Sequence, residues 1–388
     1  MKKLLVLSLA MCLALCAIVG GVTMAADAQT VAAEQALDIQ ARSALLMDYD
    51  TGTVVYAKNE KARAPIASMV KIMTLLLTME EIDQSKLTVE DTVTVSENAA
   101  SMGGSQAFLD AGSVYTVNEL IKSIVVGSAN DSCVALAEHI AGSVESFVAR
   151  MNERAAALGM QDTYFVNCTG LPAGEQYCCA FDAALMLREL IGHERFFEYS
   201  KIWMFDFAHP GGRVTQLSNT NKLIRAYEGC DGGKTGFTNE AKFCLAATAK
   251  RGNTRLISVV CGAESAKVRN AQNAALFNYG FANYQTKQVV TAGVPLQERY
   301  AVQGGKEEFI MAAPASDRFV FAKKGEEKEV TYRVDMLSLR APVQKGDVVG
   351  VLTVLSGEEK LCEVSLVSDR TVEKSTYLDL VDRFIEAW

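Results

Sequence analysis

The chain is poor in the side chains that most often build metal and proton-relay sites. Its three histidines, His139, His193 and His209, stand at no ligand spacing, and each reads as a surface or core residue. Ten cysteines are present without a paired Cys-x-x-Cys spacing, which excludes the common zinc-binding patterns. No basic cluster with interleaved aromatics occurs and the formal net charge is −8, so the chain is a poor nucleic-acid binder. No internal repeat of solenoid type is visible. What remains, 49% hydrophobic and 22% charged over 388 residues, is ordinary globular material with room for one large core and a second smaller one, hence two domains.

The N-terminus begins Met1-Lys2-Lys3, continues as an apolar run from Leu4 to Val22 and offers small residues at Ala26-Asp27-Ala28. That pattern is a secretory signal over residues 1–28, with an uncleaved membrane anchor as the rival reading. A lipoprotein fits less well, since Met11 precedes Cys12 and Leu15 precedes Cys16 where acylation sites carry a small residue. Cleavage after Ala28 removes Lys2, Lys3 and Asp27 and takes the charge from −8 to −9. The eight cysteines beyond it read as buried or free thiols, with disulfides of an oxidising compartment as the alternative.

Short strands at Ser43 to Asp48 and Thr53 to Ala57 flank the turn Tyr49-Asp50-Thr51-Gly52, a β-hairpin. From Ser68 to Glu80 the residues are helix formers and nearly all apolar, which predicts a helix buried on most sides. Helical spacing recurs over 117–126, 132–141, 144–158 and 182–191. A second hairpin follows, with strands over 243–249 and 255–261, and then a closing helix over 266–284. Hairpin, helices and hairpin make an α+β domain over residues 29–285. Strand-like runs at 289–290, 329–334, 347–354 and 362–367 between glycine-containing turns predict a small all-β domain over 286–370. In the last segment, 371–388, Tyr377, Val381, Phe384, Ile385 and Trp388 fall on one helical face.

Three strings carry chemistry: Ser68-Met69-Val70-Lys71, Ser128-Ala129-Asn130 and Lys234-Thr235-Gly236. Each alone is weak; the ordered set is specific. Lys71 lies one helical turn beyond Ser68, where its amine can take the hydroxyl proton if burial, the helix N-terminus and a second cation such as Lys234 lower its pKa. On a loop between helices, Ser128 can pass a proton to a departing amine while Asn130 orients Lys71 and the substrate. Lys234-Thr235-Gly236 opens an edge strand, with Lys234 and Thr235 offering donors to a carboxylate and Gly236 allowing a substrate backbone to approach.

With the residues around them, Pro65 to Thr74, Ser101 to Gln106, Gly127 to Asp131 and Asp231 to Thr238, these strings closely resemble those of the D-alanyl-D-alanine carboxypeptidases, low-molecular-mass penicillin-binding proteins of the β-lactamase-like serine superfamily. The resemblance runs from about Ala41 to Tyr284 and is looser beyond. It implies a β-lactamase/transpeptidase-like catalytic domain whose sheet combines both chain ends and packs on the helical middle. It also implies an oxyanion hole from the backbone N–H groups of Ser68 and Phe237. The implied reaction is two-step acyl transfer: Ser68 attacks the penultimate peptide carbonyl of a peptidoglycan stem peptide ending in D-Ala-D-Ala, D-alanine leaves, and water frees the shortened peptide. β-Lactam antibiotics would acylate the same serine, and neither a metal nor another cofactor is needed.

Departures from relatives are Thr220 where some carry Arg, Phe237 where some carry His, and Gln176 and Cys178-Cys179 after Gly170-Leu171-Pro172. They leave open what Thr220 and that loop contribute. The alternatives are a D,D-endopeptidase, a β-lactamase, which lacks support because no Glu-x-x-Leu-Asn string occurs between Asn130 and Lys234, and a non-catalytic wall-binding protein. The C-terminal stripe resembles the membrane-surface anchor of many relatives. Asp379, Asp382 and Glu386 against a single Arg383 leave only apolar burial to drive weak contact. The expected location is exported: cell wall, outer face of the cytoplasmic membrane, or secreted.

Overall fold

The computed structural model describes residues 37–326 and 329–386; the expected signal at 1–28, with Cys12 and Cys16, and Trp388 lie outside them. The first hairpin forms as its pattern demands, with β1 over Ser43–Asp48 and β2 over Val54–Lys58. Its turn is closed by Asp48, whose Oδ2 accepts from the Thr51 amide at 2.8 Å and hydroxyl at 2.7 Å. With β3 (Cys230–Thr238), β4 (Lys242–Arg251) and β5 (Thr254–Ala263) it makes an antiparallel sheet in the order β2-β1-β5-β4-β3. Leu45 thus stands opposite Val259, more than two hundred residues away in the chain.

All six residues of β1 are buried because both sheet faces are covered. Leu45 and Met47 join the core shared with the helical middle, while Leu46 points the other way, onto Gly280 of the closing helix Ala266–Asn283. The middle comprises α1 (Lys71–Asp83), α2 (Val117–Gly127), α3 (Asn130–Ala141), α4 (Val144–Ala157) and α5 (Ala180–Leu190). Caps fix their starts: Thr116 and Glu119 form a capping box at α2, Ser143 caps α4, and the Cys179 sulfur caps α5.

The helix expected from Ser68 is corrected. A 3-10 turn occupies Ala67–Val70 and α1 begins only at Lys71. The turn is closed three residues apart, by the Met69 N–H donating to Ile66 O at 3.2 Å across the left-handed Ala67, φ +51.

The chain leaves the closing helix directly into β6 (Tyr284–Val290), longer than the expected 289–290, paired with β9 (Arg318–Lys323). A second antiparallel sheet has the order β7-β8-β12-β11-β10, from Arg299–Ala301, Phe309–Pro314, Glu359–Ser368, Val348–Ser356 and Thr331–Met336. Its own apolar core includes Ile310, Leu352, Val354, Leu366 and Val372. Strands β7, β8 and β9 are absent from the sequence expectations. The three residues of β7 are too few to show a period, β8 is half alanine and proline, and β9 is half-buried throughout.

The tail forms a helix over Tyr377–Glu386, started by Asp379 accepting from Thr376 N–H at 2.6 Å and held by Arg383 donating to the carbonyls of Gly305 and Lys306. Tyr377, Phe384 and Ile385 of the expected stripe are exposed, and Val381 is half-buried. Leu378 and Leu380 are exposed as well, so the uncovered apolar surface is broader than the stripe. Among the described residues no helix is long and apolar enough to cross a membrane. The eight described cysteines are all free thiols, seven of them buried.

Candidate active site

Ser68 sits on the 3-10 turn, which is wedged between two chain segments that leave no room for a side chain. A Cβ on Gly170 would lie 2.0 Å from the Ala67 carbonyl oxygen, and one on Gly236 would lie 2.3 Å from the Ile66 oxygen and 3.2 Å from the Met69 nitrogen. Gly236 was expected to admit substrate backbone; in the structure its bareness makes room for the turn that carries Ser68. Lys234, Thr235 and Gly236 do lie on an edge strand, but in the middle of β3, which begins four residues earlier.

Lys71 is fully buried on the first turn of α1 and its Nζ has three neighbours: Ser68 Oγ at 2.9 Å, Asn130 Oδ1 at 2.6 Å and the Thr169 carbonyl at 2.6 Å. Two of these are acceptors only. A neutral amine with its two N–H groups on Asn130 and Thr169 therefore turns its lone pair toward the Ser68 hydroxyl. Burial pushes the Lys71 pKa down, opposed by Cys133, Cys168 and Asp131. The expected help from Lys234 runs the other way: burial first, and then the charge of Lys71, hold Lys234 well below an ordinary lysine.

Asn130 is gripped at three points. Its backbone N–H donates to Ser105 O at 2.7 Å, its Nδ2 donates to Gly103 O at 2.7 Å, and its Oδ1 accepts a hydrogen bond from Lys71 Nζ. Ser128, left-handed at φ +64 where α2 ends, receives a hydrogen bond from Lys234 Nζ at 2.8 Å. Lys234 is buried and also donates to the Thr235 carbonyl at 3.1 Å. Thr235 Oγ1 lies 2.8 Å from Thr220 Oγ1, so the residue of doubtful role is drawn into the cluster. The phenyl ring of Phe237 is 52% exposed and packs on Phe243 with centroids 4.4 Å apart.

The structure thus brings together two hydrogen-bonded groups, Ser68–Lys71–Asn130 and Ser128–Lys234–Thr235, near enough for the charge of Lys71 to act on Lys234, with Gly236 under the Ser68 turn and Phe237 at the open edge. A hydroxyl facing an amine with a lowered pKa, beside a second buried lysine, is suited to acyl transfer on a substrate with a carboxylate.

Comparison with known proteins agrees with that chemistry. Residues 28–265 match the D-alanyl-D-alanine carboxypeptidase family and residues 284–374 match the C-terminal domain of penicillin-binding protein 5. The chain belongs to the D-alanyl-D-alanine carboxypeptidase family. It is a low-molecular-mass penicillin-binding protein, a hydrolase of the serine-peptidase type. It is 40% identical over 351 residues to the D-alanyl-D-alanine carboxypeptidase DacF of Bacillus subtilis, covering 90% of each chain. It is 33% identical over 322 residues to DacA of Escherichia coli, covering 81% of this chain and 79% of that one. Among solved structures, penicillin binding protein 5 from Haemophilus influenzae superposes with a TM-score of 0.71 at 31% identity, over 87% of this chain and 98% of that chain. The fold is accordingly that family's mixed α/β catalytic domain followed by a β-rich domain.

Four participants escape sequence reading. Thr169 acts through a backbone carbonyl, as do Gly103 and Ser105, and a carbonyl has no residue-type signature. Asp131 is the fourth: buried beside Asn130, it accepts from Ala107 N–H at 3.0 Å and Leu109 N–H at 3.1 Å and so holds the loop that grips Asn130. Its only sequence signal is its place after the Ser-Ala-Asn string. Gln176 and Cys179 support rather than line the site. Gln176 Oε1 accepts from the amides of Val166 and Asn167, and Cys179 caps α5.

Proposed function

We propose that the enzyme removes the terminal D-alanine from peptidoglycan stem pentapeptides through an acyl-enzyme on Ser68. The observation that carries this reading is the Lys71 amine, whose two fixed carbonyl acceptors leave its lone pair for the Ser68 hydroxyl. Lys71 takes the hydroxyl proton as Ser68 Oγ adds to the penultimate carbonyl carbon. The N–H groups of Ser68 and Phe237 receive the oxyanion. Ser128, hydrogen-bonded to Lys234, passes a proton to the leaving amine, the C–N bond breaks, and D-alanine departs. Water then attacks the ester and regenerates the hydroxyl. Lys234 and Thr235, extended by Thr220, hold the terminal carboxylate. A β-lactam opens on the same oxygen and stays attached.

Such a substrate lies outside the cytoplasm, so the N-terminal segment 1–28 is read as an export signal. The exposed apolar face of the tail helix supports weak, salt-insensitive contact with the membrane surface. The test is Ser68→Ala. It is expected to abolish both release of D-alanine from a defined pentapeptide and covalent labelling by penicillin, each read by mass; covalent label on another serine would overturn the assignment.

A further inference from the structure

Beyond the carboxylate end of the cleft the surface changes character. The Asn219 amide donates to Trp203 O at 2.8 Å and continues the hairpin of Met204–Ala208 and Val214–Ser218 by one pair. Trp203 and Phe205, two residues apart on an extended strand, therefore share a face with the buried Phe207; Phe205 packs on the core and both rings are half-buried at the outer end of that face. Each carries cations: Lys222 Nζ and the Arg225 guanidinium both lie 4.5 Å from the Trp203 ring, and Lys122 Nζ lies 5.4 Å from Phe205. Lys222 and Arg225 are exposed, Lys122 is half-buried, and none of the three forms an ion pair among the described residues. Three unneutralised cations on one aromatic stripe stand out in a chain of net charge −8. Ring faces hold such heads in place without cancelling their charge.

The stripe is tied to the site. Thr220, beside Thr235, donates its amide to Val126 O of α2, the helix that carries Lys122, and Lys222 follows Thr220 by two residues, about 7 Å of chain at most. Asn219 and Asn221 brace the intervening loop on Ile202 and Gly232. On the function proposed above, the substrate strand ends at its carboxylate against Lys234 and Thr235. Whatever covers the stripe belongs to a different strand. In a polymer of stem peptides the group that recurs at a neighbouring strand, and that complements this charge, is a free carboxylate.

We propose that Trp203, Phe205, Lys122, Lys222 and Arg225 form a secondary surface for the carboxylates of a neighbouring stem peptide, which favours polymeric peptidoglycan over soluble peptides; this rests on the carboxypeptidase reading of the cleft. The experiment compares the full chain with K222Q/R225Q on uncross-linked peptidoglycan stripped of secondary polymers and on a soluble tripeptide ending in D-Ala-D-Ala, measuring released D-alanine. For the variant, kcat/KM on the polymer is expected to fall about 5- to 20-fold while the soluble value stays within about 2-fold and penicillin labelling is unchanged. The parental preference for polymer should shrink as salt rises. An unchanged ratio between the two substrates overturns the proposal. So does a polyglycerol phosphate that competes with the parental enzyme alone while stripped polymer is turned over equally by both, since the partner would then be a phosphodiester. A parental enzyme that releases D-alanine from neither substrate would sink the carboxypeptidase reading, and this inference with it.

Discussion

At the scale of single residues, the site is built around a buried amine whose pKa burial lowers. Because burial lowers the Lys71 pKa, acylation by penicillin should rise with pH through a midpoint below the 10.5 of an ordinary lysine, measured by stopped mixing and mass. Lys71→Ala should slow acylation about 10³- to 10⁴-fold and flatten that pH profile, whereas a parental rate at neutral pH would make Lys71 structural. Lys234→Ala should cost substrates with a free terminal carboxylate about 10- to 100-fold more in kcat/KM than amidated analogues, since one charge-assisted contact is lost only by the former. Equal losses would place Lys234 in tuning the site.

At the scale of elements, two turns hold the site and the sheet. Phe108 is left-handed at φ +66, and the Asp131 carboxylate bonds the amides on either side of it. Removing that carboxylate orphans buried N–H groups, so Asp131→Ala should cost about 2–4 kcal/mol in denaturant unfolding and loosen the loop that grips Asn130. An undiminished stability would mean that the loop is held by Arg213, which donates to Phe108 O at 2.7 Å and pairs with Asp110. At the first hairpin, burial and then the charge of Asp48 push the Asp50 pKa up to about 6 from 3.8. Its ionisation is therefore disfavoured in the fold, and stability from this group is lost as pH rises from 3.8 to about 6. Asp50→Asn should match the parent near pH 3.5 and melt higher at pH 7.5; an equal melting temperature at both pH values contradicts this.

At the scale of the molecule, the tail helix is separable from the β-rich domain, but not from residue 371. Val372 is buried and pairs with Val343, so removing 371–388 would open the β core. A chain lacking 377–388 keeps that core. It should lose the weak, salt-insensitive flotation with liposomes expected of the chain that keeps the tail, while D-alanine release from a soluble peptide is unchanged. Flotation equal with and without the tail would rule out an anchor.

The sequence by itself determined the Ser68 string, its two companions and their order, along with both hairpins and the long helices, because these are written in residue types and in periods of 2 and 3.6. It also carried the fold class, through the order of hairpin, helices and hairpin and through the resemblance of the three strings to a known family. Only the tertiary structure decided what each part touches. Gly236 is bare for the sake of Ile66, Lys71 finds its second acceptor on Thr169, Thr220 meets Thr235, and Asp131 reaches back to residues 107–109. These are contacts between segments far apart in the chain, made largely by backbone groups common to every residue. The short strands β7 to β9 escaped for a related reason: their pairing comes from neighbours in the sheet and not from any pattern of their own.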